Sequence, residues 1–346
     1  MKRITLSILL LFIMAMPIDA YASTAPEAPD AALEYMPVEP HSFTEDVWYV
    51  IRSALDALEP QITECMGKCL AVIAAVIMVS ILGDLPGSSR MVSELSGSVV
   101  VGILLLEGSD VLIDAAAQTI QSMSDYGKLL LPVMASALAA QGGITSSAAL
   151  YTGTVVFDAV LCGLVSSMMI PIVYVFLGLS VGKSALGNEM LGRLQKLSKW
   201  TVTWFLKIVL YVFTGYMTIT GVVSGTTDQS VLKATKLTIS GAVPVVGGIL
   251  SDASEAVLVG AGTVKNAIGI YGLVAIIAIA IGPFLRIAVQ YLLLKVTSAI
   301  CGTFGLKRTT SLIEDIHDAM GLLLAMTGAV CFMLLISTVC FMKGVV

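Results

Sequence analysis

Stretches without charge recur along the chain at 69–83, 159–182, 208–227, 266–285 and 319–342. Windows of this kind suit α-helices that cross ~30 Å of hydrocarbon, which takes about 20 apolar residues. The shortest, 69–83, gains a turn because Lys68 can snorkel toward the interface. A further apolar stretch opens at 99–106 and then meets Glu107, Asp110 and Asp114. Residues 129–157 also lack charge, yet Pro132, Gln141-Gly142-Gly143 and Thr145-Ser146-Ser147 interrupt helical regularity, so a re-entrant or broken helix is expected there. The pattern predicts an all-α, polytopic membrane protein of about six spans, with broken and amphipathic helices added.

Composition agrees. Of 346 residues, 57% are apolar and 12% charged, against roughly 45–50% and about 25% in a soluble domain. Mean hydropathy is +0.94, so a water-surrounded globule, a disordered chain and a collagen are excluded. Net charge is −5 with no basic block interleaved with aromatics, which argues against nucleic acid as a partner. Six cysteines without C-x-x-C spacing read as small packing residues, and no cofactor or metal site is expected.

Lys2 and Arg3 precede an apolar run at 4–16, and Ala20-Tyr21-Ala22 supplies the small-x-small pattern of a cleavage site. Residues 1–22 are therefore expected to be a signal peptide. From 23 to 66, nine acids face Arg52 alone, and Pro26, Pro29, Pro37 and Pro40 keep the first half extended. This is an acidic extracytoplasmic arm whose second half, 43–65, carries Val47, Val50, Ile51, Leu55, Leu58 and Ile62 at helical spacing, the mark of an amphipathic helix.

Between the windows 159–182 and 208–227, Lys183, Arg193, Lys196 and Lys199 outnumber Glu189, and excess positive charge marks the cytoplasmic side. Leu186, Met190, Leu194 and Leu197 recur at helical steps, so this connector is expected to be a basic amphipathic helix on the membrane surface, ending at Trp200. Its Arg193, Lys196 and Lys199 are candidate docking residues for a cytoplasmic component or the membrane lipid. Arg286, Lys295, Lys307 and Arg308 mark a second cytoplasmic connector, where Ser311 and Glu314 have capping-box spacing. Both termini then lie outside, and the broken segment returns to the side it left.

Pro132 and Pro171 are 39 residues apart, as are Pro244 and Pro283. Each pair opens with a Gly-rich interrupted stretch, followed by a span, a connector and another span. These four prolines are candidate helix breaks, and two tandem parallel units are suggested. The organisation reads as signal peptide 1–22, arm 23–66, first membrane hairpin 67–127, repeat unit 128–235 and repeat unit 236–346.

Few residues could carry chemistry. Gly178-Leu179-Ser180-Val181-Gly182 fits G-x-S-x-G, but the pattern needs a strand-turn-helix and a nearby histidine, and His41 and His317 are expected on opposite sides. Close helix packing is the better reading. Gly182-Lys183-Ser184 lacks the first glycine of a phosphate-binding loop, since Leu177 stands there. Glu314, Asp315, His317 and Asp318 decorate the polar side of a helix and are expected to be solvated. Glu107, Asp110 and Asp114 share one helical face; with Asp158 they are candidates for a polar path, because three acids cannot face lipid.

The stretch LTISGAVPVVGGILSDASEA at 237–256, followed by VKNAIG at 264–269, resembles the stage III sporulation protein AE family of endospore-forming bacteria. LLPVMASAL at 130–138 and GGITS at 142–146 are similar to the family's other well-marked segment. The resemblance covers nearly the whole chain after the signal peptide. It implies a polytopic protein of the mother-cell membrane around the forespore. Other stage III proteins of its operon, a secretion-type ATPase among them, would join it in a channel complex linked to a forespore membrane partner. Such a complex sustains late forespore gene expression, and no catalytic residue is implied. The sequence thus points to a non-enzymatic channel or export subunit. A free-standing secondary transporter, with segments around Pro132 and Pro244 meeting at a midplane site, is the alternative, and a membrane hydrolase is a weaker third class.

Overall fold

The computed structural model describes residues 25–37, 42–83, 90–242 and 247–343. The expected signal peptide, 1–22, and Pro244 lie outside them. Among the described residues there are helices and turns but no strand. The chain is an all-α, multi-pass membrane protein.

After the short helix α1 (Asp30–Leu33), α2 (Phe43–Asp56) begins at a capping box in which the Ser42 and Glu45 side chains each accept from the other's backbone N–H. The single amphipathic helix expected at 43–65 is instead split, because α3 (Glu59–Gly83) starts afresh. Pro60 explains the split: in a continuous helix its ring would strike the carbonyl of Asp56, where α2 ends, whereas in the first turn of α3 its missing N–H costs nothing. The arm is folded onto the body. Ala28, Ala32 and Met36 are buried, and the Tyr35 ring lies against Gly282, close enough that a Cβ there would meet its hydroxyl at 2.9 Å. Burial pushes the Tyr35 phenol up, Glu34 adds to this, and Arg286 opposes it.

The remaining helices are α4 (Arg90–Ala140), α5 (Ile144–Leu164), α6 (Ile170–Leu186) as a continuation of α5, then α7 (Glu189–Ala242), α8 (Gly247–Gly302) and α9 (Lys307–Lys343). Polar ties fix their directions. Ser147 donates to the Ala135 carbonyl at 2.6 Å and Ser124 to Asp158 at 2.7 Å, so α5 retraces α4. Thr154 bonds Ser337 at 3.0 Å while Lys183 bonds Asp315, so α9 runs against the α5–α6 rod. Between helices in lipid the hydrophobic effect supplies little attraction, and hydrogen bonds of this kind hold register at about 0.6–1.7 kcal/mol each.

The chain therefore passes six times between a hairpin end at 141–143 and a connector end at 187–188 and 303–306. Five passes, α3, α5–α6, α7, α8 and α9, are long and apolar enough to cross a membrane. The sixth, α4, carries the three acids. The most apolar windows of α8 and α9 are 61% and 56% buried, against 17% for that of α3, so α8 and α9 form the centre and α3 the rim.

Two of the three described candidate breaks do not interrupt their helices. Pro132 and Pro283 sit inside α4 and α8, which run on through them. Among the described candidates, Pro171 has a local effect. It follows a π-helical turn (Val165–Met169), where the Ile170 N–H reaches back to the Val165 carbonyl and Ser166 donates to the Cys162 carbonyl at 2.8 Å. The wider turn relieves the clash between the Pro171 ring and the preceding turn. In 129–157 the break falls at 141–143, so this segment is the tip of a helical hairpin. The boundaries drawn at 66/67, 127/128 and 235/236 fall inside α3, α4 and α7, because charge patterns do not mark helix ends there.

Candidate functional site at the connector end

The turns after α6 and after α8 both use a left-handed glycine, Gly187 at φ 65° and Gly305 at φ 74°. Both turns lie at the same end, where the polar residues of α9 meet three helices. Asp315 is paired with Lys183 of α6, Asp318 with Lys199 of α7 at 2.6 Å, and Glu314 accepts from Ser298 of α8 at 3.3 Å. His317 is buried, stacks on Tyr291 of α8 with centroids 4.0 Å apart, and its Nδ1 lies 2.9 Å from the Tyr291 carbonyl. Glu314 is exposed as expected, but Asp315 and His317 are buried, and together with Asp318 the four form a clamp between helices rather than a purely solvated face. The sequence signal was there in Lys183 and Lys199, cations without a local acid, but pairing them with α9 needs the fold.

Ser180, the centre of the G-x-S-x-G pattern, is fully buried; it donates to the Phe176 carbonyl at 2.7 Å and accepts from Gln195 Nε2 at 2.7 Å. It ties α6 to α7. Gln195 in turn accepts from Lys183 at 3.1 Å. The connector 186–200 is not a separate surface helix: its residues after the turn are the opening of α7, which continues through Trp200 into the span because no glycine turn or proline separates them. Arg193 and Lys196 are exposed and face a cavity, while Lys199 is taken by Asp318. Arg286, expected with the second connector, lies sixteen residues before the end of the unbroken α8 and beside the arm.

Glu107, Asp110 and Asp114 are exposed on one side of α4. Lys68 of α3 lies alongside, with its Nζ 3.6 Å from where a Cβ on Gly108 would stand, and pairs with Glu64 at 2.8 Å. Tyr174 of α6 lies beside Asp110 and Asp114. Asp158 does not join them. It is buried on α5, accepting from Ser124 and, at 3.6 Å, from the Cys162 thiol. All six cysteines are free thiols, with Cys69, Cys162 and Cys301 buried.

A profile of the family described as stage III sporulation protein AE matches residues 37–344. The chain belongs to that family. Within the stage III sporulation protein AE family, it is 26% identical over 208 residues to the Stage III sporulation protein AE of Bacillus subtilis (strain 168). That alignment covers 60% of this chain and 52% of the relative, so the chain spans about half the length of the curated relative it matches. No solved structure matches. The segments at 130–138, 142–146 and 237–256 that carry the resemblance all fall inside the matched residues, and the family gives the chain a role in sporulation.

Proposed function

We propose that this chain is a non-enzymatic membrane subunit of a channel or secretion-like complex between mother cell and forespore, needed for late forespore development. Its partners are other stage III sporulation proteins of the same operon, including a secretion-type ATPase, and a partner in the forespore membrane. It sits in the mother-cell membrane around the forespore with the acidic arm extracytoplasmic.

One observation carries the reading of a subunit. Glu107, Asp110 and Asp114 point outward from α4 at the depth of Lys68 and Tyr174, beside two apolar spans. Carboxylates do not face hydrocarbon, so a row of three exposed beside apolar spans calls for water or another protein against it. A free-standing transporter would keep such groups around an internal site between helix breaks, and at Pro132, one of the two segments that reading relies on, the helix is continuous. The tagged protein, purified in mild detergent from sporulating cells, should bring stoichiometric stage III partners with it. Recovery of the chain alone, from cells in which those partners are present, would count decisively against this function.

A further inference from the structure

A cavity of about 570 Å³ opens at the connector end, between the C-terminus of α6 and the N-termini of α7 and α9. Lys183, Arg193, Lys196, Lys307 and Arg308 line it against a single acid, Glu189. Lys183 is committed to Asp315, but Arg193, Lys196 and Lys307 are exposed. Arg308 approaches Glu94 only to 3.9 Å, and its Nη1 is shielded from solvent with no acceptor among the described residues. Gly187 puts the guanidinium there: a Cβ at 187 would stand 2.7 Å from Arg308 Nη2, so only glycine lets it lie on the turn. The first residues of α7 and α9 are part of the wall, and two helix N-termini add to the positive potential.

An apolar stripe starts at the rim. One step around α7 from Arg193 and Lys196 are Met190, Leu194 and Leu197, exposed by 66%, 42% and 55%. Trp200 and Trp204, stacked with centroids 5.8 Å apart, and the exposed Ile208 and Tyr211 carry the stripe up into the span. Tryptophans of this kind sit at the membrane–water interface. Arg193, seven residues before Trp200, is about 10 Å further out, at headgroup depth.

We propose that this cavity holds the phosphate headgroup of an anionic phospholipid, with its acyl chains laid along the apolar stripe of α7. Arg308, held on the wall by its 3.9 Å approach to Glu94, and the exposed Arg193 fork suit tetrahedral phosphate oxygens, and the lysines add point charges around them. Basic pockets between spans bind such headgroups, and the adjoining stripe favours a lipid over a free anion. The inference goes beyond the proposed function and does not rest on it.

The full-length protein in nanodiscs of phosphatidylcholine, with or without phosphatidylglycerol or cardiolipin, tests it by native mass spectrometry and thermal unfolding. Anionic lipid should stay bound and raise the melting temperature, while inorganic phosphate should do neither. Arg193→Gln combined with Lys196→Gln and Lys307→Gln should weaken anionic-lipid binding roughly a hundredfold, at about tenfold or less for each charge. Melting in phosphatidylcholine should not change. Lys295→Gln, an exposed cation of α8 outside the cavity, should behave as wild type. Leu194→Ser with Leu197→Ser spares every cation and should also weaken lipid binding, and it decides the matter if the triple variant fails to fold. Unchanged lipid retention in the triple variant, equal stabilisation by inorganic phosphate alone (a soluble anion's site), or an unaffected Leu194 and Leu197 variant would each overturn the proposal.

Discussion

Lys183 and Asp315, 132 residues apart in the chain, form an ion pair whose side chains are only 23% and 13% exposed. With Gln195 accepting from Lys183 and donating to Ser180, one polar node joins α6, α7 and α9. Removing one partner strands the other. Asp315→Ala should cost about 3 kcal/mol of stability, read as a loss of thermal or denaturant resistance in detergent. Lys183→Met together with Asp315→Leu should recover most of it, since a packed apolar pair replaces a desolvated ionic one. A double variant no better than Asp315→Ala would show that the pair contributes through something other than charge balance.

The outward acids of α4 give a second expectation. Glu107→Gln with Asp110→Asn and Asp114→Asn keeps size and helix register and removes three charges. The variant should reach normal membrane levels yet lose partner recovery and late forespore gene expression. Full complementation would mean that the row faces water at an emerging helix side, and the shared surface would have to be sought elsewhere.

Orientation can be read by labelling. In a background without native cysteines, single cysteines at the exposed positions Ala31, Met190 and Lys343 should react with an impermeant reagent as outside, inside and outside. Inside labelling at Ala31 would invert the scheme.

Gly187→Ala tests the connector turn. A left-handed residue with a Cβ costs about 1–2 kcal/mol, and here the methyl would also press on Arg308. Stability should fall by about that amount with the helices intact by circular dichroism.

Much of this fold could be read from charge spacing, because uncharged windows separated by basic connectors dictate antiparallel passes. Pro60 and the S-x-x-E pair of Ser42 and Glu45 mark helix starts by local sterics and hydrogen bonding, signals that the apolar spacing over 43–65 hid. What was hidden is which polar faces meet. Asp315 facing water and Asp315 facing Lys183 have the same spacing on α9, and only packing tells them apart. Prolines misled for a related reason. A proline removes one hydrogen bond, and long helices such as α4 and α8 absorb that loss within many remaining ones.

Tyr35 rests on Gly282, a surface that leaves the ribosome long after the arm does. During synthesis the arm can dock only after α8 has been made and inserted. Its docking is then one of the closing events of biogenesis, and protection of Tyr35 from protease would report that the membrane body behind it is complete.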